Sequence, residues 1–149
     1  MSLTVEEITP GLVVHVDTDL LRTLGGCQTN AVLGTDGDRA VVGAHDFLVV
    51  HLDAAASVCT AVPLFSKTAV GNQPLERRQK SGLGDAWLGT DSFFSHWQHW
   101  RIPTSALIAA AEGDAATPAT RRRYAATDRS ALDDIRNWEG RNRAAYRAV

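Results

Sequence analysis

The run Asp46-Phe47-Leu48-Val49-Val50-His51-Leu52 constrains this chain more than any other stretch. It is nearly continuously apolar, rich in β-forming residues and closed by a turn over Asp53–Ser57, so it reads as a strand. Val58-Cys59-Thr60-Ala61-Val62-Pro63-Leu64-Phe65 reads as its partner. Pro63 has no N–H to give a ladder, which puts the end of that second strand at an edge or a bulge. Two further β regions flank the pair. Gly11–Asp17 is Val-rich after Pro10, and Asp91–Ile102 is aromatic and stops at Pro103. Asp36-Gly37, between Val32-Leu33 and Ala40-Val41-Val42, predicts a small hairpin.

The chain changes character twice. Residues 66–90 are polar and carry Gly71, Pro74, Gly82, Gly84 and Gly89, so they read as one long loop with a helical turn at Glu76–Lys80. Beyond Pro103 the pattern becomes helical. Thr104 or Ser105 caps Ala106–Glu112, and Gly113 ends that helix. Thr117-Pro118 opens a second helical signal. Ser130-Ala131-Leu132-Asp133 matches a capping box, followed by a stripe at Leu132, Ile135, Trp138, Asn142, Ala145, Tyr146 and Val149. Short strands followed by terminal helices predict a mainly β fold with C-terminal helices (α+β), a small barrel or sandwich with helices packed outside.

Bulk properties narrow the function classes. With 149 residues the chain is long enough for a real core. No apolar run approaches the ~20 residues of a membrane helix, and the acidic start MSLTVEEITPG lacks the apolar segment of a signal peptide. No membrane association is expected. Cys27 and Cys59 are isolated, which suits a reducing, cytoplasmic setting. Residues 121–149 hold eight Arg against four acids, while the whole chain is net −2. The body is therefore acidic, a poor general attractor of phosphate chains, with a local basic segment at the end.

Most motif tests fail. Asp36-Gly37-Asp38 has its glycine misplaced for a calcium loop, and Gly82-Leu83-Gly84-Asp85 lacks the Lys-Ser/Thr of a phosphate loop. The densest aromatic stretch is Phe93-Phe94-Ser95-His96-Trp97-Gln98-His99-Trp100. Read as a strand, it puts Phe94, His96, Gln98 and Trp100 on one face and Trp97 and His99 on the other. The two His then cannot share a metal, and at most one of Trp97 and Trp100 stacks a base. No metal and no cofactor are expected.

Four segments in order resemble the PemK/MazF-like plasmid-maintenance toxins. They are Gly11-Leu12-Val13-Val14-His15-Val16, His45-Asp46-Phe47-Leu48-Val49-Val50-His51, Thr60-Ala61-Val62-Pro63-Leu64-Phe65-Ser66 and Trp97-Gln98-His99-Trp100-Arg101-Ile102-Pro103. The resemblance covers roughly residues 10–110. It implies an SH3-like β-barrel over residues 1–113, including the first terminal helix, with 114–149 as an Arg-rich helical extension packed on it. It also implies a homodimer, a cognate antitoxin, and metal-independent cleavage of single-stranded RNA.

In that chemistry the ribose 2′-OH attacks the neighbouring phosphate, so a base must take its proton and donors must hold the phosphate charge. The family's Arg before the x-L-V strand is replaced by His45, its proline by Asp46, and its Thr by Phe65 with Ser66 retained. His45 and Ser66 are then the candidate catalytic pair. Lys67, Arg77, Arg78 and Lys80 are the candidate substrate-binding cations. The loss of the family's Arg and Thr equally fits a non-catalytic SH3-like module that engages a protein partner or nucleic acid. A third reading is small-molecule chemistry in a pocket lined by His45, His51 and His96.

Overall fold

The computed structural model describes residues 2–31, 40–68, 71–111, 120–124, 130–141 and 145–149. The expected hairpin at Asp36-Gly37 and the helical signal at Thr117-Pro118 lie outside these residues. The elements in chain order are a 3-10 turn at Val5–Glu7, β1 (Val13–Asp17), α1 (Thr18–Leu24), β2 (Gln28–Thr29), β3 (Ala44–Asp53), β4 (Val58–Pro63), β5 (Asn72–Leu75), a 3-10 turn at Arg77–Gln79, β6 (Lys80–Ser81), α2 (Asp85–Gly89), β7 (Ser92–Ser95), β8 (Trp100–Pro103), α3 (Thr104–Ala110), β9 (Arg123–Tyr124), α4 (Ser130–Arg141) and β10 (Arg147–Ala148).

The central sheet is antiparallel, in the order β1-β3-β4-β8-β2-β10. Among the described residues it is an open sheet with β1 and β10 at its edges, not the closed barrel expected from sequence; the mainly β, α+β class holds. Pro63 sits on a central strand without harm. β8 pairs β4 only from Val58 to Ala61, so the missing N–H falls where the ladder on that side has ended.

β3 shows why the sheet needs cover on both sides. Phe47 and Val49 enter one core cluster with Val14, Val16, Cys59, Ala61, Trp100 and Ile102. Leu48 and Val50, pointing the other way, enter a second with Val13, Val62 and Leu64. The first face is closed by Leu21 of α1 and by Ala106, Leu107 and Ala110 of α3. The second is closed by Leu75, Trp87, Phe94, Tyr124, Leu132 and Ile135, one or two from each of β5, α2, β7, β9 and α4.

Several segments depart from the expectations. Residues 18–38 carry the turn signals Gly25-Gly26, Gly34 and Asp36-Gly37-Asp38, yet they open with α1, because the Asp17 side chain accepts from the N–H groups of Asp19 and Leu20 and caps it. Residues 66–90 are not one loop: β5, β6 and α2 lie within them. Asp91–Ile102 is not one strand. A turn after Ser95 splits it, β7 pairing with β5 and β8 with β4. Thr104 is the first residue of α3 rather than its cap, and its hydroxyl donates to Ser57 O. Among the described residues the last helix spans Ser130–Arg141, while Tyr146 is not helical and Val149 follows the edge strand β10. A buried ion pair, Arg121 Nε to Glu7 Oε2 at 2.6 Å, ties the first turn to the segment before β9. The Arg121 hydrogen bond holds the Glu7 carboxyl below its usual range.

The two-faced packing sets a stability test. Phe47 is fully buried, edge-on to Trp100 at 5.5 Å, so Phe47→Ala should lose about 3–5 kcal/mol in urea unfolding. His51→Ala, on an exposed residue of the same strand, should stay within about 0.5 kcal/mol. Equal losses at the two positions would contradict this placement of β3.

Candidate functional site

The register of β1 and β3 pairs His15 with Asp46 and Val16 with His45. Paired residues share a face, so His15 and Asp46 open onto the second face and His45 onto the first. His15 Nδ1 lies 3.0 Å from Asp46 Oδ1, and 42% of the His15 side chain is in solvent. An ionised carboxylate only accepts, so in this pairing Nδ1 carries the proton and Nε2 is the basic nitrogen of the neutral ring.

Arg122 completes the cluster from the far end of the chain. Its Nη1 lies 3.3 Å from Asp46 Oδ1, and its Nε donates to Leu83 O at 2.9 Å. Two glycines allow this approach. Gly82 has φ +101°, and a Cβ there would meet Arg121 O at 2.5 Å; at Gly84, φ +117°, a Cβ would stand 2.8 Å from Arg122 Nη2. The result is an imidazole, a carboxylate and a guanidinium at one corner of the sheet, about one-quarter to two-fifths exposed.

The residues singled out from sequence divide. His45 is half-buried with its ring edge-on to Phe65, 6.0 Å between centroids. Leu64 N–H donates to Asp46 O, Phe65 pairs with Phe93, and Ser66 and Lys67 follow as exposed residues. Arg77 and Arg78 are exposed beyond β5. Arg77 Nη1 donates to Gly89 O at 3.3 Å, and Arg78 pairs with Glu76.

Lys80 is not an exposed loop cation. It is 8% exposed, donates to Trp87 O, Thr90 O and Ser92 Oγ at 2.7–3.0 Å, and stands 4.0 Å from the Trp87 ring centroid. Burial lowers its pKa to about 8, although Asp46 and Asp91 pull it up. His45 and His51 are six residues apart on β3, roughly 20 Å at strand rise, so no pocket joins them.

The aromatic stretch has a geometry its sequence hides. Because the chain turns after Ser95, His96 and His99 lie on the same side, 6.5 Å apart, and both contact Trp138 of α4. This overturns the opposite-face reading. His99 is fully buried, its Nδ1 is 2.8 Å from Glu139 Oε1, and its Nε2 has no hydrogen-bond partner. Burial alone would raise the Glu139 carboxyl; the hydrogen bonds from His99 and Tyr146 outweigh it and hold it below its usual range. Among the described residues no group of three or more His, Cys, Asp or Glu side chains is placed to hold a metal. No described helix is long and apolar enough to cross a membrane.

Sequence reasoning reached Asp46 only as a departure from a pattern and missed His15 and Arg122 as partners. The β1–β3 alternation held a usable signal for His15. Nothing local marks Arg122 among its neighbours Arg121 and Arg123. No protein-family model, curated protein or solved structure matches this chain.

Lys80 gives a pH test. Its folded pKa is below the ordinary lysine value of 10.5, so between about 8 and 10.5 the unfolded chain binds more protons and stability rises with pH. The buried thiols work the other way: burial raises Cys27 to about 11 and Cys59 to about 12, so they lower stability above the ordinary thiol value of 9.0. The Lys80 contribution is therefore read as a difference. Wild type should gain about 2–3 kcal/mol over Lys80→Met from pH 8 to 10.5. Parallel pH profiles would contradict a depressed Lys80.

Proposed function

We propose that this chain binds single-stranded RNA and cleaves it without a metal, with His15 as the proton-transfer group rather than His45. The observation that carries the reading is the His15–Asp46–Arg122 cluster. An imidazole oriented by a carboxylate and set beside a guanidinium meets the two needs of the chemistry.

His15 Nε2 takes the 2′-OH proton as the 2′ oxygen bonds to phosphorus. The bond from phosphorus to the 5′ oxygen breaks, and solvent returns a proton to that oxygen, leaving a cyclic phosphate and a 5′-OH. Arg122 stands where it can hold charge on the phosphate oxygens. Ser66 and Lys67, exposed at the same end of β3 and β4, extend the donor set. The four segments that resemble the PemK/MazF-like toxins support the same substrate class. On that reading a cognate antitoxin protein and a second copy of the chain are its partners.

One observation favours a non-catalytic binding module instead. Asp46 serves both His15 and Arg122, and Arg122 also holds Leu83 O, so the cluster works equally as a staple between β1, β3 and the 82–84 loop.

The experiment is incubation of purified protein with single-stranded RNA in EDTA. Cleavage is expected, with His15→Ala slower by at least about 100-fold and His45→Ala changed far less. Cleavage that survives His15→Ala assigns the proton transfer elsewhere. Binding without any cleavage leaves a nucleic-acid-binding module as the function, and intact, unbound RNA rejects RNA as the ligand and leaves the module a protein partner.

A further inference from the structure

We infer that Trp97 is a stacking site for an unpaired nucleobase, and that the adjoining Arg101–Tyr146 ridge takes the phosphate chain of the same strand. This rests on the RNA reading above and adds a binding surface that the His15 corner does not supply. Trp97 is 56% exposed, whereas Trp87 and Trp100 are 4% and 0% exposed. Its backbone is fixed by the turn that splits β7 from β8. Trp97 N–H donates to Ser95 Oγ at 3.1 Å, and Gln98 N–H donates to Ser95 O. Its indole stands edge-on to Trp138 at 5.5 Å and 82°, and Trp138 in turn lies flat against His96, 5.6 Å away at 6°. A ring braced in this way loses little conformational freedom when a ligand stacks on it.

The setting selects the ligand class. The other exposed large apolar residues among those described lie on other elements: Leu20 and Leu24 on α1, Leu83 and Leu88 around α2, Val5 in the first turn, and Val42 before β3. Trp97 is the one exposed Trp, Tyr or Phe among the described residues, and a single exposed ring is a poor core for a protein interface, which needs about 800 Å² per partner. It is sufficient for a base, since every base presents a π-face.

A chain of contacts leads from Trp138 to cations. Trp138 is followed in α4 by Glu139, which meets Tyr146, and the exposed Arg101 guanidinium sits 3.7 Å over the Tyr146 ring. Arg147, also exposed, follows on β10. Arg147 belongs to the Arg-rich end of an otherwise acidic chain, and with Arg101 it gives this corner charge that complements a phosphate strand. The strand is single because a duplex hides its base faces.

The test measures binding of a short, unstructured, fluorescent oligoribonucleotide and of its abasic counterpart, using the full chain carrying His15→Ala so that the strand stays intact. Adding Trp97→Ala should weaken binding of the RNA by about 5- to 100-fold and leave the abasic strand unchanged. Trp97→Phe should restore most of the loss. Equal RNA affinity with and without Trp97 overturns the stacking inference alone, as does an equal loss on the abasic strand. Loss of self-association in Trp97→Ala at unchanged RNA affinity also overturns it, assigning the ring to a contact between copies. A parent chain that binds neither strand overturns the inference together with the RNA reading.

Discussion

A ten-residue strand with buried side chains on both faces cannot stand in a two-layer fold. Phe47 and Val49 need cover on one side, Leu48 and Val50 on the other, and all four are fully buried. At roughly 1.5–3 kcal/mol for each such side chain, leaving either face open would forfeit much of a small domain's net stability. Two short helices, α1 and α3, serve the first face. The second face is closed by contributions from many small elements, and this shapes the rest of the molecule. β5, β6, β7, β9, α2 and α4 are each too short to stand alone, and all but β6 place a side chain against the same sheet surface. β6 joins them through its ladder to β9.

The same constraint places the His15 cluster. Where β1 and β3 run past the cover of the second face, apolar pairing gives way to His15 opposite Asp46. The segment that supplies Tyr124 to the second core runs beside the start of β1, where Val13 N–H donates to Arg122 O, and the Arg122 side chain reaches Asp46. The cluster is thus built from both ends of the chain and exists only once the sheet is covered. The aromatic corner at Trp97 arises similarly: α4 docks Leu132 and Ile135 into the core, and one turn later Trp138 meets His96, Trp97 and His99.

Legibility in the sequence followed the range of the interactions involved. β3 and β4 were readable because an apolar run bounded by turns is a local signal. α1 was hidden among glycines; its start was marked by Asp17 as a cap followed by Leu20 and Leu21, a short-range pattern outweighed by Gly25 and Gly26. Residues 91–102 misled because aromatics on both sides of a turn imitate one long strand; the break depends on Ser95 accepting from the next two N–H groups available to it. Asp46 was noticed, and His45 beside it was read as the reactive group. The pleat separates the neighbours: His45 faces Phe65 on one side of the sheet, while Asp46 meets His15 and Arg122 on the other. The Arg122 contact spans 76 residues, and nothing local specifies a partner so distant.

The central claim is that His15, Asp46 and Arg122 act as one unit on RNA, with Asp46 as its hub. A double-mutant cycle between Asp46→Ala and Arg122→Ala, read as single-turnover cleavage of single-stranded RNA in EDTA, tests it most directly. Groups that act together give strongly non-additive losses. The double variant should therefore be about as slow as the worse single one. Losses that multiply, or a wild-type protein that leaves the RNA intact, would contradict the account.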